Sequence, residues 1–491
     1  MAQQIRFSDC SPYLEASKET AQVVQAFKTL SEYFAASSKD DKDDDDPVLS
    51  LRTTFNDVEK KYETRWWAGR YIGLANIQVD KKKGNDKDDV QISIRPRFGE
   101  AFLLKIIEDV YKIRQPQNNA DTPNISSDEW FSALMNLLRR KMWVEKCAKA
   151  NRYGLPRLTT RREHQGASIK GALDIKRTLM PWMMKKEVCS YTFEKAQDDK
   201  ICQIVYEAHR ILSRNVIDNR VGKKRKKAGG PTPANVPSSF SMPPAVKDTI
   251  DALNREYKGR PFCITDNEYR RIRYKSIYLS WKPLVDFSWS VIKGHRLGFH
   301  ASEKQTECVF VDMAEIWETY LRKKLGEHLK TDGWRVWTVV ETEKMVYDST
   351  FFKRRIIPDI VLQRKSMVDG KDEFLVFDAK YKRMSGHKDD VDRSDFFQIH
   401  TYIQYFQHTY PEGRVLLGGL LYPLSKEDWK ENRPLYTAST MFGSSGRFET
   451  KFIIDGVLCS ETNDQNGNNK LTMEANVEAM FKRIKGCIGS F

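Results

Sequence analysis

Residues 310–425 contain the feature that most restricts the fold of this chain, an ordered succession of helical and strand patterns. Residues 311–330 repeat apolar side chains at helical spacing, which predicts a helix with one buried stripe. Three β-rich runs follow, at residues 333–341, 354–365 and 373–382. Residues 394–407 return to helical spacing, and the continuous apolar run at 415–423 predicts a strand covered on both faces. The predicted order is therefore helix, three strands, helix, strand.

The rest of the sequence predicts two further regions. In residues 1–125, a helix-like start up to residue 36 precedes two alternating apolar and polar runs around a Gly-Asn-Asp turn, which is the pattern of a β-hairpin, and then a helix. Residues 126–300 show mostly helical spacing. We therefore predict a multidomain α+β or α/β protein. It has an N-terminal α+β module (1–125), a mostly helical middle region (126–300) and a C-terminal domain with an extension (301–491).

Three charged segments stand apart from these patterns. The acidic run at 39–47 predicts a solvated loop rather than a metal site, because its spacing is not that of an EF-hand loop. Residues 222–239 combine five cations with Gly, Pro and Ser, which predicts a flexible connection or long loop that could also contact a nucleic-acid backbone. A further basic stretch fits either a solvated surface or phosphate contacts. Its cations are Arg152, Arg157, Arg161, Arg162, Lys170, Lys176 and Arg177.

Composition excludes several classes of protein. The 491 residues include 82 Lys and Arg against 67 Asp and Glu, a formal charge of +15, which is compatible with a polyanionic partner. No apolar run approaches the ~20 residues of a spanning helix, so an integral membrane protein is excluded. The eight cysteines form no CxxC pair, so we expect no zinc ribbon, no disulfide framework and a cytoplasmic location. No GxxxxGK[ST] loop is present, so the chain cannot hydrolyse a nucleotide by that route.

Asp359, Asp378 and Lys380 are the candidate catalytic residues of the C-terminal pattern. Side chains at i and i+2 of a strand project from one face, so Asp378 and Lys380 point the same way, and pairing with the preceding strand brings Asp359 alongside. Two adjacent carboxylates repel each other unless a cation lies between them, so Asp359 and Asp378 predict a site for a hard divalent cation. A lysine beside the metal suits phosphodiester hydrolysis. The alternative is an ordinary exposed ion pair, because Asp-x-Lys on a strand is common.

Glu318 and Gln398 are two further candidates for this catalytic site, each with an ordinary structural alternative. Glu318 on the preceding helix could supply another carboxylate or orient a water, but its spacing to Arg322 also fits a surface ion pair. Gln398 on the following helix could face the site as a polar supporting group, or it could be solvated. The sequence leaves both alternatives open.

The same motifs resemble a known family. PDIVL, FLVFDAKYKRM, SDFFQIHTYIQYF and LLGGLLYP are similar, in sequence and order, to the PD-(D/E)xK nuclease domain of the McrC family, the cleaving subunit of modified-cytosine-dependent restriction systems. DMAEIWETYL resembles a helix of that family, which supports Glu318. Looser similarity to the N-terminal and middle segments of the family extends the resemblance to roughly residues 60–425. Arg97 departs from the family pattern, in which a lysine usually follows this proline.

The resemblance implies both an activity and a partner. It implies a restriction-endonuclease-like domain (αβββαβ) that cleaves DNA with Mg²⁺ and takes part in restriction or phage defence. It also implies docking, through the N-terminal module, onto a hexameric ring of McrB-like AAA+ GTPase subunits supplied in trans. The ring would translocate DNA, including DNA with modified cytosine, and the chain would stimulate its hydrolysis of nucleotide. Dimerisation through the nuclease domain is one arrangement left open.

Two other functions are compatible with the same sequence. The chain could be a non-cleaving adaptor that activates the NTPase ring, with a vestigial nuclease site, although the intact Asp-Asp-Lys set argues against it. It could also be a nuclease of the same fold directed at RNA, because nothing in the motif reads the 2′-hydroxyl.

Overall fold

The computed structural model describes most of the chain. The described residues are 3–14, 20–35, 47–56, 61–80, 87–112, 127–225, 242–299, 308–342, 345–348, 353–382, 384, 391–424, 436–438, 450–459, 462–463, 470–471 and 473–488. The chain forms two compact units, one of Met1–Gln117 with Leu297–Phe491 and the other of Asn118–Arg296. The N-terminal and C-terminal segments that the sequence analysis treats as separate domains therefore lie in one unit.

The N-terminal part of the first unit is an α+β layer, as predicted. Its elements are β1 (Gln3–Ser8), α1 (Ala21–Ala35), β2 (Leu49–Asn56), β3 (Lys61–Ala68), β4 (Tyr71–Asp80), β5 (Lys87–Arg95) and α2 (Glu100–Tyr111). The predicted hairpin is β4 with β5, paired antiparallel. The helical prediction for residues 1–36 is wrong at its start, because Ile5 and Phe7 alternate with exposed neighbours and β1 pairs parallel with β5.

The second unit contains both helices and a small sheet. Its elements are α3 (Ser127–Ala150), β6 (Arg157–Gly166), β7 (Ala172–Leu173), α4 (Ile175–Lys185), β8 (Val188–Gln197), α5 (Asp199–Arg225), α6 (Pro244–Tyr257), α7 (Asp266–Arg270) and α8 (Lys282–Phe299). The prediction of a mostly helical region missed the antiparallel sheet, ordered β6-β8-β7. Most residues of β6 are exposed, so this strand has no buried face to produce an alternating apolar pattern.

The helices of the second unit pack around large aromatic side chains. Those that are almost fully buried are Trp143, Tyr257, Trp281 and Trp289. Helix α5 continues to Arg225, so the first residues of the predicted loop at 222–239 are helical. The remainder of that segment, 226–239, and residues 39–46 of the acidic run lie outside the described residues.

The C-terminal part of the first unit follows the predicted order. Its elements are β9 (Val309–Asp312), α9 (Met313–Leu329), β10 (Arg335–Val336), α10 (Val339–Thr342), β11 (Val346–Asp348), β12 (Lys353–Arg355), β13 (Ile360–Lys365), β14 (Asp372–Ala379), α11 (Arg393–Thr409), β15 (Arg414–Leu424), β16 (Tyr436–Ala438), β17 (Lys451–Leu458), β18 (Thr462–Asn463), β19 (Lys470–Leu471) and α12 (Met473–Ile488). The first predicted strand, 333–341, is correct only over β10. Glu341 accepts hydrogen bonds from the backbone and hydroxyl of Thr338, and these contacts begin the short helix α10 instead.

A six-stranded sheet, ordered β10-β13-β14-β15-β17-β16, forms the centre of this part. Strands β14, β15 and β17 are parallel, and β13 pairs antiparallel with β14. Strand β15 is buried along almost its whole length, as its apolar run predicted. The extension after residue 425 contributes β16 and β17 to the sheet and α12, which packs on β17.

Strand β9 connects the two parts of the first unit. It pairs antiparallel with β4 of the N-terminal sheet and leads directly into α9. The chain is thus a mixed α+β protein, and the strand that begins the C-terminal part completes the N-terminal sheet. Among the described helices, none combines the length and apolar character needed to cross a membrane.

Candidate active site

Asp359 and Asp378 meet where β13 begins and β14 ends. The antiparallel register pairs Ile360 with Phe377, so Asp359 lies beside the last residues of β14. The backbone N–H of Ala379 donates a hydrogen bond of 2.8 Å to Oδ2 of Asp359. The structure therefore brings the two carboxylates together, as the strand pattern predicted.

Lys380 projects from the same face as Asp378. Its backbone N–H donates to the carbonyl of Leu421 at 3.0 Å, which continues the pairing between β14 and β15. Its Nζ lies 2.6 Å from Oδ2 of Asp378. The side chain of Asp378 is 1% exposed and that of Lys380 is 13% exposed. This pair is therefore buried in the fold and differs from the exposed ion pair that the sequence left as an alternative.

The charges at this strand end perturb one another. Burial raises the pKa of Asp359 well above its usual value, and the nearby carboxylates of Asp378 and Glu318 raise it further. Burial acts to lower the pKa of Lys380, but Asp378, Asp395 and Asp359 outweigh it, so the pKa of Lys380 is raised. Lys380 is thus an ammonium group at neutral pH, surrounded by carboxylates.

Gln398 lies next to Lys380 and therefore faces the site, which is one of the two positions that the sequence left open. Its Oε1 accepts a hydrogen bond of 2.9 Å from Nζ of Lys380, and its Nε2 donates to the hydroxyl of Tyr402 at 2.7 Å. The contact with Tyr402 therefore orients the amide so that its oxygen faces Lys380. Helix α11 places Gln398 and Tyr402 one turn apart on the same face.

Asp395 is a site residue that the sequence analysis missed. It lies in the first turn of α11 with 6% of its side chain exposed. Its two oxygens lie 3.2 Å from Nζ of Lys380 and 2.8 Å from Nζ of Lys382. The available signal was the helical spacing of Asp395, Gln398 and Tyr402, which places all three on one face.

Glu318 forms the predicted ion pair with Arg322 and also lies near the candidate catalytic residues. Its Oε1 accepts from Nη2 of Arg322 at 2.5 Å, which is the ion pair that the spacing predicted. It is also close enough to raise the pKa of Asp359. The guanidinium of Arg322 additionally donates from Nε to the backbone carbonyl of Asp359 at 3.1 Å. Glu318 therefore belongs to the charged surroundings of the site through Arg322.

The donor set fits a divalent cation with oxygen ligands. In the part of the chain that the structure describes, no three His, Cys, Asp or Glu side chains converge to hold a metal by themselves. Mg²⁺ commonly takes only one or two carboxylates and completes its octahedron with water and phosphate oxygens. Asp359 and Asp378, which repel each other at the end of β14, supply that number.

Three of the seven cations of the basic stretch form ion pairs within the second unit. Arg161 lies 2.5 Å from Asp174, and Arg162 lies 3.3 Å from Glu194. Arg177 forms an ion pair with Glu163. These pairs favour the solvated-surface interpretation for three of its cations, since their charges already have partners.

Sequence and structure comparisons place the chain among known proteins. The sequence profile of the McrBC 5-methylcytosine restriction system component matches residues 68–423. No curated protein sequence matches the chain. Two solved assemblies from Thermococcus gammatolerans contain similar chains. One is a half-complex from a tetradecameric assembly of McrB AAA+ hexamers with bound McrC, whose chain is 13% identical, with a TM-score of 0.36 over 98% of this chain and 100% of that chain.

The second assembly is the cryo-EM structure of the McrBC complex of the same organism. Its chain is 12% identical to this one, with a TM-score of 0.31 over 66% of this chain and 87% of that chain. Similarities at this level do not define the fold. The profile, in contrast, spans more than half of the sequence and includes Asp359, Asp378 and Lys380. The chain therefore belongs to the McrBC 5-methylcytosine restriction system component family.

Proposed function

We propose that this chain is the DNA-cleaving subunit of a McrBC-like restriction or phage-defence complex and hydrolyses phosphodiester bonds with Mg²⁺. The observation that carries the proposal is the buried cluster of Asp359, Asp378 and Lys380 at the end of β14. Buried charges are costly, so a cluster of this kind is more typical of a functional site than of a structural one.

The site residues have distinct roles in this proposal. Asp359 and Asp378 would hold Mg²⁺, which supplies Lewis-acid chemistry at the scissile phosphate when bound. Lys380 remains protonated because of its carboxylate neighbours, so it donates hydrogen bonds and positive charge to the phosphate instead of acting as a base. Gln398 and Asp395 hold the ammonium group in place.

We infer that the partner is a McrB-like AAA+ GTPase ring supplied in trans. Membership of the family supports this inference, and the assemblies from Thermococcus gammatolerans contain McrB with McrC. The chain has no phosphate-binding GxxxxGK[ST] loop, so we assign nucleotide hydrolysis by that route to the partner. We also infer a cytoplasmic location, which the absence of a CxxC pair in the sequence supports.

Plasmid cleavage in the complete complex tests the proposal. We would compare wild type, Lys380→Ala and Lys365→Ala with the partner GTPase, GTP and Mg²⁺, on methylated and unmethylated DNA. Lys365 is the matched control because it lies at the far end of β13 with 70% of its side chain exposed. We expect Lys380→Ala to lose at least about 10²-fold in cleavage rate and Lys365→Ala to retain wild-type cleavage. Both variants should stimulate the GTPase as wild type does.

Two results would redirect the proposal. Full GTPase stimulation by a wild-type chain that cuts no DNA would favour the adaptor. Faster degradation of a matched RNA than of DNA, lost in Lys380→Ala, would make RNA the substrate. Loss of cleavage in Lys365→Ala to the same extent as in Lys380→Ala would remove the assignment of the site.

A further inference from the structure

The segment that carries Lys380 is held from both of its faces. Lys380 and Lys382 project toward α11, where both contact Asp395. Tyr381 projects the other way and is 4% exposed. Its hydroxyl donates a hydrogen bond of 2.6 Å to Oδ2 of Asp9, a residue that directly follows β1 of the N-terminal sheet. The residue next to Lys380 is thus anchored to a segment about 370 residues away in sequence.

A second contact from the N-terminal sheet reaches the next residue of this segment. Nη2 of Arg97 donates a hydrogen bond of 3.0 Å to the backbone carbonyl of Lys382. The guanidinium carbon lies 4.7 Å from the ring centre of Tyr381, so Arg97 also covers the ring that binds Asp9. The backbone N–H of Arg97 donates to Oδ1 of Asp9 at 2.6 Å. Asp9 and Arg97 therefore form one connected anchor.

The anchor itself is rigidly built. Asp9 is fully buried, and its backbone N–H donates to the carbonyl of Arg95 at 2.9 Å. The following residue, Cys10, has a φ of 49° and donates from its backbone N–H to the carbonyl of Gly69 at 3.0 Å. A left-handed conformation at a residue other than glycine persists only where the surroundings enforce it. The backbone of Asp9 and Cys10 is therefore held in place by its hydrogen bonds to Arg95 and Gly69.

We propose that Asp9 and Arg97 are positioning residues for Lys380, which they fix in place through Tyr381 and Lys382. The proposal rests on the proposed nuclease function and assigns the N-terminal sheet a part in cleavage. A lysine side chain has many rotamers, and displacement of a catalytic group by about 1 Å can reduce a rate by about 10²-fold. Holding the two residues that follow Lys380 restricts where its ammonium group can lie.

Tyr381→Phe is the sharpest test, because it removes one hydroxyl and keeps the ring under Arg97. The matched control is Tyr320→Phe, which removes another buried hydroxyl, from α9, on a ring stacked against Trp317. In the full complex we expect Tyr381→Phe to lower kcat for plasmid cleavage about tenfold with KM within about twofold, because it disturbs the reacting geometry rather than binding. The control should keep both constants.

Hydrogen exchange provides a readout that does not depend on cleavage. We expect the amides of residues 380–382 to exchange at least about tenfold faster in Tyr381→Phe than in wild type, and at the wild-type rate in Tyr320→Phe. Asp9→Ala should produce at least the same acceleration, because it removes the oxygen that accepts from the Tyr381 hydroxyl. The double variant Asp9→Ala with Tyr381→Phe should lose no more activity than Asp9→Ala alone, because the Asp9 change has already removed the acceptor of the Tyr381 hydroxyl.

Wild-type exchange at residues 380–382 in both Tyr381→Phe and Asp9→Ala would overturn the anchor, whatever the chain cleaves. Faster exchange with unchanged kcat would overturn the positioning role. A wild-type chain that does not cut, or a Lys380→Ala variant that cuts normally, would instead overturn the proposed function, while the exchange rates still decide whether the anchor exists.

Discussion

Asp359 and Ala379 are joined by a hydrogen bond of 2.8 Å from the backbone N–H of Ala379 to Oδ2 of Asp359. This bond holds the carboxylate of one strand against the backbone of the strand that carries Asp378. Burial, together with the charges of Asp378 and Glu318, raises the pKa of Asp359. Without a cation, the site therefore lowers the stability of the fold at neutral pH.

Asp359→Asn should stabilise the protein while abolishing cleavage. A carboxyl group whose pKa is raised on folding favours the folded state in its protonated form, so the fold loses stability as the pH rises above the unfolded value. The amide removes this effect and can still accept from Ala379. In EDTA we expect the unfolding midpoint to rise by about 2–4 °C, measured by calorimetry. Mg²⁺ should stabilise wild type but not the variant.

Glu412→Gln is the control for this measurement. Its side chain is 86% exposed and pairs with Lys371, before the start of β15 and away from the site. Its unfolding midpoint should respond to Mg²⁺ as that of wild type does. An Asp359→Asn protein that is stabilised by Mg²⁺ to the wild-type extent would contradict the metal assignment.

Asp395→Asn should weaken cleavage by disturbing both lysines that it contacts. Removing the carboxylate leaves Lys380 with one fewer counter-charge in a mostly buried position. We expect cleavage to fall about ten- to hundredfold. Asp392→Asn is the matched control, because Asp392 contacts Lys382 from the same end of α11 and is 58% exposed. Equal losses in the two variants would show that pairing with Lys382 alone matters.

The role of Glu318 can be determined from how cleavage by a Glu318 variant depends on the Mg²⁺ concentration. Glu318→Gln keeps an oxygen that can accept from Arg322 but removes a charge near Asp359. We expect the half-saturating Mg²⁺ concentration for cleavage to rise severalfold, with the maximal rate reduced by about tenfold or less, since the charge attracts the metal without binding it. Cleavage that stays absent at saturating Mg²⁺ would instead make Glu318 a direct ligand.

Sequence periodicity was sufficient to predict that the two carboxylates and the lysine of the site lie together. Asp378 and Lys380 are two residues apart on a buried strand, and the pairing of β13 with β14 brings Asp359 to the same end. Asp395 was not predictable in this way, because helical spacing groups it with Gln398 without indicating which face of α11 meets β14. The contact between Asp9 and Tyr381 depends on pairing between distant segments, which no local pattern reports.

Local patterns also failed to predict the secondary structure of two further segments. The sheet of the second unit was missed because β6 is mostly exposed and most of its side chains are charged or polar. The run 333–341 was predicted as one strand from its aromatic and β-branched residues. The side chain of Glu341 instead caps the backbone of Thr338, and this contact outweighs the strand propensity of the neighbouring residues.

The burial of His209 in α5 should make the stability of the second unit depend on pH. Its ring lies 5.5 Å from that of Trp143, and its Nε2 is 3.1 Å from the hydroxyl of Ser213. Burial lowers the pKa of His209 from its usual 6.5 to about 4, and the charge of Arg140 acts in the same direction. Between these values the unfolded chain binds a proton that the folded chain does not. The contribution of neutral His209 to the stability of the fold is therefore complete above about pH 6.5 and is lost as the pH falls toward about 4.

His209→Gln should make the stability of the protein less dependent on pH in this range. Glutamine keeps a polar group near Ser213 but does not titrate, so the stability of the variant relative to wild type should increase on acidification. We expect a relative gain of about 1–3 kcal/mol between roughly pH 6.5 and pH 4.5, from urea unfolding followed by tryptophan fluorescence. Parallel stability curves for wild type and variant over this range would show that His209 titrates normally in the folded protein, and that its burial beside Trp143 is not maintained in solution.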